Sequence, residues 1–256
     1  MIRRLLPLPL VACLLAACVT TTNSPFQNQN VSMKQAAQAN VALAIQYLKV
    51  GNRDAAMQKV QKAIEQDPDS ANAYTAEALI YNADQEPDKA KSAYLTAMRK
   101  APDDPEIQND YAIFLCQHGN AKDSIDYFMK AANNPRYTTP DGAYTNAGLC
   151  ATLIPDPALA EQNFRRSLTM NPNGAEPLFQ LAQISYNQKK YLSARAFIER
   201  FDALVPGSRP DVLLLGVNNE RALGNQQGAA DYAKQLLQLY PTSEQAQQLQ
   251  QGTTHG

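Results

Sequence analysis

Small and apolar residues recur along this chain in paired blocks at helical spacing. Leu43, Ala44 and Tyr47 share one face of a first block, and Ala56, Val60 and Ala63 share one face of a second. Gaps of three and four residues, as from Ala44 to Tyr47 and from Ala56 to Val60 and Ala63, mark an amphipathic helix rather than a strand. The pattern predicts two helices joined at Gly51, which ends the first at little backbone cost. Pro68 closes the unit because it cannot continue a helix. Ala44 and Ala56 are expected where the two helices approach most closely, with Tyr47, Val60 and Ala63 filling the space between them. The order returns in Tyr74, Ala78, Tyr81, Ala90, Tyr94, Ala97 and Pro102. There Pro87 sits at the first turn of the second helix, where a missing N–H does no harm. It returns again in Tyr111, Ala112, Leu115, Gly119, Ser124, Phe128, Ala131 and Pro135. A fourth unit carries Tyr144, Gly148, Ala160, Phe164 and Pro172, with Ile154-Pro155-Asp156-Pro157 in place of the usual turn. A fifth has Leu181, Ala182, Tyr186, Ala194, Ile198 and Pro206. The sixth has Gly216, Gly224, Ala229, Leu236 and Pro241, with one extra residue expected in its first helix.

The closing prolines are 34, 33, 37, 34 and 35 residues apart. A period near 34 with this small–aromatic–proline order is that of the tetratricopeptide repeat. The fold expected is all-α, a right-handed superhelical solenoid of six such helix-turn-helix repeats over residues 33–256. A short capping helix, Ser243 to Leu249, turns Ala246 and Leu249 inward and a Gln-rich side outward. In such arrays the first helices of the units line a concave groove. By repeat position Gln38, Val41, Ile45, Asn72, Thr75, Leu79, Asn109 and Ile113 face it. Mixed apolar and amide side chains suit an extended peptide or a helix as ligand. The other role open to each is packing against the next repeat. The Lys-Asn-Arg constellation with which some tetratricopeptide domains hold a C-terminal carboxylate is not evident. The link from Asn133 to Asp141, holding Pro135, Arg136, Tyr137 and Pro140, is either a surface loop or a protruding contact element.

The chain opens differently. Arg3 and Arg4 precede an apolar stretch from Leu5 to Leu15, and small residues Ala16 and Ala17 precede Cys18. This is the layout of a secretory signal, and its apolar stretch falls short of the roughly 20 residues that span a bilayer. Leu15-Ala16-Ala17-Cys18 resembles a bacterial lipobox. That resemblance implies cleavage after residue 17, a diacylglycerol thioether on Cys18 and acylation of its new amino group; no other cofactor is expected. The alternative is an ordinary signal peptide with an incidental thiol. Several acyl chains give the stable anchoring that one chain does not. Val19, not Asp, follows the cysteine, which resembles the pattern sent on to the outer membrane, on its periplasmic side. Residues 18–32 are polar and aperiodic, with Pro25, and read as a flexible tether reaching roughly 20 Å.

Losing Arg3 and Arg4 takes Lys plus Arg from 23 to 21 against 24 acids, a net charge of −3. With no basic run, nucleic acid is not an expected partner. Cys13 leaves with the signal and Cys18 carries lipid, so Cys116 and Cys150 remain, one repeat apart, in an oxidising compartment. They are either a bridge between equivalent helices of adjacent repeats or two buried free thiols. A bridge would close a loop worth roughly 4 kcal/mol in the chain-entropy picture.

The chemistry of catalysis is missing. With two histidines and 11 glycines, the chain offers no His-carboxylate cluster for a metal, no phosphate loop and no nucleophile elbow. His118, just before Gly119, reads as a helix C-terminal residue, and Asp103-Asp104 before Pro105 as a helix start. Arg165-Arg166 is a solvated pair. Neither an enzyme nor a small-molecule substrate is expected.

Lipobox, tether and six repeats together resemble the type IV pilus biogenesis lipoprotein family of PilF and PilW. The most specific stretch runs from Asn109 to Cys150, through Asn109-Asp110-Tyr111, Phe114-Leu115-Cys116, Pro135-Arg136-Tyr137 and Asn146-Ala147-Gly148-Leu149-Cys150. Its paired cysteines look like the family's signature, while Pro155 departs from the usual glycine. The resemblance implies a pilotin: a non-enzymatic lipoprotein that binds the outer-membrane secretin of the type IV pilus and assists its targeting and multimerisation, supporting pilus formation and twitching motility. The alternative function is a general periplasmic adaptor that recruits cell-wall enzymes.

Overall fold

The computed structural model describes residues 25–253. The signal segment, Cys18 and the tether up to residue 24 lie outside the described residues. Thirteen helices occupy the described part: α1 (Pro25–Lys49), α2 (Arg53–Gln66), α3 (Ala71–Ala83), α4 (Pro87–Lys100), α5 (Pro105–Gln117), α6 (Ala121–Ala132), α7 (Pro140–Ala151), α8 (Pro157–Met170), α9 (Ala175–Asn187), α10 (Tyr191–Leu204), α11 (Pro210–Ala222), α12 (Gln226–Leu239) and α13 (Glu244–Thr253). Each odd helix up to α11 packs on the helix that follows it, giving six two-helix units closed by α13. The chain is an α solenoid.

Local chemistry sets the helix ends. Asn52, Ser70, Asp104, Asp156 and Asn225 each accept a hydrogen bond from a backbone N–H of the turn they open, satisfying a donor with no partner inside the helix. Pro87, Pro105, Pro140, Pro157 and Pro210 each occupy a first turn. Within the first, third and sixth units the turn passes through Gly51, Gly119 and Gly224 at φ of 78°, 80° and 74°. Gln85 (63°) and Lys189 (58°) take that left-handed position in the second and fifth units.

The repeat's small residue has a visible reason. Ala44, Ala78, Ala112 and Ala182 are fully buried, and Gly148 and Gly216 hold the same place in the fourth and sixth units. A Cβ on Gly148 would lie 2.6 Å from the Phe164 ring, and one on Gly216 2.8 Å from the Tyr232 ring. Val60, Tyr94, Phe128, Phe164 and Ile198, at matching positions of the second helices, are almost entirely buried. One large side chain per unit thus packs against one small one, which fills the space without voids.

First helices touch the first helices of neighbouring units, α1 to α3, α3 to α5, α5 to α7, α7 to α9 and α9 to α11, whereas successive second helices stand further apart and reach one another only through long side chains, as where the Tyr232 hydroxyl of α12 donates to Asp202 of α10. The stack therefore curves with its first helices on the inside.

Two local readings change. Residues 25–32, read as flexible tether, are helical as the first turns of α1. Pro25 is tolerated at a first turn, and extending a helix already nucleated adds one hydrogen bond per residue fixed. The extra residue expected in the first helix of the sixth unit lies instead in the connection between Leu204 and Pro210, where Gly207 and Ser208 both take positive φ. Of the two readings of the link between the third and fourth units, the surface loop is the one the structure has. Tyr137 is buried, and the Asn134 amide and Arg136 guanidinium both donate to the Asp103 carbonyl at 2.9 Å, binding the link to the preceding connection.

Candidate partner-binding face

The inner face is a row of first helices, so its chemistry is set by one helical stripe per unit. Gln38 and Asn72 are exposed on it, while Val41, Ile45, Leu79 and Ile113 are half-buried. Val41 and Ile45 lean on the core around Ala44 and Val60, Leu79 on that around Tyr94, and Ile113 on that around Phe128. Thr75 and Asn109 are buried and offer little surface to a ligand. The Thr75 hydroxyl donates to the Ala71 carbonyl, as a threonine within a helix commonly does.

The Cα atoms of Cys116 on α5 and Cys150 on α7 lie 5.9 Å apart with their sulfurs at bonding distance. Cys150 is buried. Beside this pair lies a cavity of about 180 Å³ with apolar walls, formed by Ile113, Phe128, Leu149 and Leu153 and edged by the amides of Gln117 and Asn146. Leu153 is 66% exposed at its mouth. The position-by-position assignment made from the repeats included Ile113 but not Leu149 or Leu153. Leu153 follows α7 where Pro155 replaces the usual turn, so the repeat pattern gave it no place.

His118 caps the end of α5. Its Nε2 lies 2.7 Å from Asn82 Oδ1, and the Asn82 amide donates to Gln117 Oε1, linking the inner surfaces of α3 and α5. Among the described residues, no group of three or more His, Cys, Asp or Glu side chains could hold a metal ion. None of the described helices is long and apolar enough to cross a membrane.

Known proteins share this architecture and much of its sequence. The tetratricopeptide repeat family matches over residues 41–105, 75–138 and 212–243. The type IV pilus assembly protein PilF of Pseudomonas aeruginosa is 29% identical over 94% of this chain and 95% of its own. A solved PilF structure superposes with a TM-score of 0.76 at 28% identity, covering 86% of this chain and 99% of that one. The crystal structure of PilW, described as a widely conserved type IV pilus biogenesis factor, is 31% identical with a TM-score of 0.74, covering 84% of this chain and 98% of PilW. The chain belongs to the PilF/PilW family.

In this PilF/PilW member the opening of α5 is acidic. Asp103 and Glu106 are exposed, and Asp104 caps the helix by accepting from the Glu106 and Ile107 N–H groups. Asp110 follows one turn after Glu106. Burial, and then the charge of Glu106, pushes the Asp110 carboxyl up to about 6, although a hydrogen bond from Asn109 works the other way. No ion pair reaches Asp103, Glu106 or Asp110 from the described residues. Elsewhere buried charge is matched: Arg195 donates to Glu220 at 2.7 Å across the fifth and sixth units.

Proposed function

We propose that this chain is a lipid-anchored pilotin of the type IV pilus: held to the periplasmic side of the outer membrane through acylated Cys18, it binds the secretin subunit on its inner face and assists secretin multimerisation. The observation carrying this reading is the PilW relationship, 31% identity over 98% of that protein's length. The physical logic supports it. A curved row of first helices offers an extended peptide or helix a long surface. Unassembled barrel subunits expose strand edges and apolar surface that need cover. Cys116 and Cys150 form a bridge in the oxidising periplasm.

Deletion of the gene followed by immunoblotting of unheated membranes tests the role. Secretin monomers are expected to accumulate at the expense of multimers, and complementation with Cys18→Ser is expected to leave the protein in the soluble periplasm without restoring them. Normal multimers in the deletion strain would overturn the reading.

A further inference from the structure

The inner face is not uniform, and its middle holds two features that belong together. The first is the apolar cavity between α5 and α7, with Leu153 at its mouth. Second comes the run of acids without an ion-pair partner at the start of α5.

Helical geometry puts them on one line. Glu106, Asp110, Ile113 and Gln117 recur at i, i+4, i+7 and i+11 along α5, which is one face of a helix. At 1.5 Å per residue, Glu106 stands about 10 Å along the axis from Ile113. An extended chain covers that in about three residues. The acids are also energetically telling. A half-buried carboxylate held beside like charges destabilises a fold unless a cation neutralises it; Arg136 lines the same hollow as Asp103, Asp104 and Glu106, but its guanidinium donates to the Asp103 carbonyl and makes no ion pair with these acids. The groups around Asp110 are Glu106 and Asp104 on or capping its own helix, Tyr94 on α4 and Tyr137 in the link before α7. None of them is basic.

We propose that the α5–α7 section of the inner face binds an extended peptide that places an apolar side chain between Ile113, Leu149 and Leu153 and, about three residues away, a lysine or arginine against Glu106 and Asp110. Charge complementarity selects the occupant: apolar contact alone fits many chains, whereas the acids demand a cation at a fixed distance. The Gln117 and Asn146 amides stand at the cavity edge to meet the peptide's carbonyl groups. This proposal rests on the reading of the inner face as a partner surface and specifies the chemistry of what it takes.

Display of a random peptide library against the immobilised mature protein tests it, with affinities of enriched synthetic peptides then read by fluorescence polarisation. Enriched sequences are expected to carry Lys or Arg about three positions from Leu, Ile, Met or Phe. Leu153→Glu, at an exposed position, is expected to weaken them at least tenfold. The double change Glu106→Lys with Asp110→Lys is expected to abolish binding of the basic peptides and to enrich acidic ones in a repeat selection. Circular dichroism melts of both variants establish that they fold. Enrichment without a basic residue, unchanged affinity in the folded variants, or no enrichment would each overturn the proposal. Secretin co-purification with the same variants separates the two claims: secretin retained in full by both folded variants sinks this site and leaves the pilotin reading standing, whereas failure of the wild-type protein to retain secretin sinks the pilotin reading whatever the peptides do.

Discussion

Asp110 shows how one residue can oppose the stability of the chain that carries it. Its carboxyl is raised from 3.8 to about 6 in the fold, first by burial and then by Glu106. Between about pH 4 and 6 the folded state therefore binds the proton more tightly than the unfolded chain. Stability falls as pH rises through that window, and the deficit is fully present above it. Asp110→Asn is expected to stabilise the mature protein by on the order of 2 kcal/mol at pH 7.5, with the gain shrinking to nothing near pH 3.5; urea melts at the two values measure it. A gain of the same size at both would mean that charge is not the cause. Gly148 makes the opposite case, a residue set wholly by packing, since the Phe164 ring occupies the space a Cβ needs.

Among the neighbouring first helices, α5 and α7 bring two cysteines together. They pack through Ala112 and Ala147 in one core cluster, and Cys116 and Cys150 stand within bonding reach. The bridge proposed above shortens the unfolded chain's freedom across 34 residues of sequence, worth roughly 4 kcal/mol in the chain-entropy picture. Peptide mapping of protein taken from the periplasm without reductant is expected to return the two cysteine peptides linked. The double change Cys116→Ser with Cys150→Ser is expected to lower the melting temperature and to loosen amide protection first in α5 to α7. Recovery of two free thiols from native protein would remove the bridge. The turns within units show a milder economy. Where Gly51, Gly119 and Gly224 take the left-handed position freely, Gln85 and Lys189 take it with a Cβ, a small strain that the surrounding helix contacts hold in place.

At the scale of the molecule, each unit touches little beyond its neighbours, so stability is close to a sum of units and interfaces. The last unit depends on α13, whose Ala246 and Leu249 cover Leu213, Val217 and Leu236. Ending the chain after Ser243 is expected to erase hydrogen-exchange protection in α11 and α12 while leaving α1 to α6 as they were. Uniform loss along the stack would mean the units are coupled far more tightly than their contacts suggest. The repeat period, the small residue at each of the six crossings, prolines such as Pro87 and Pro105 at helix starts and the inward face of the cap were legible in the sequence, because each is a requirement met within a few residues of chain. The groove was legible only in part. Gln38 and Asn72 reach its surface, but Thr75 and Asn109 are swallowed by neighbouring packing, and burial is a sum over contacts from other units that no single repeat encodes. Leu153 became part of a pocket through the turn that departs from the pattern. What the chain determined by itself was the unit and its recurrence, since helix periodicity, turn chemistry and closing prolines act over a few residues. Only the stacking decided which side chains meet across units, which acids stay uncompensated and where an apolar hollow opens, because those follow from the curvature accumulated between neighbours.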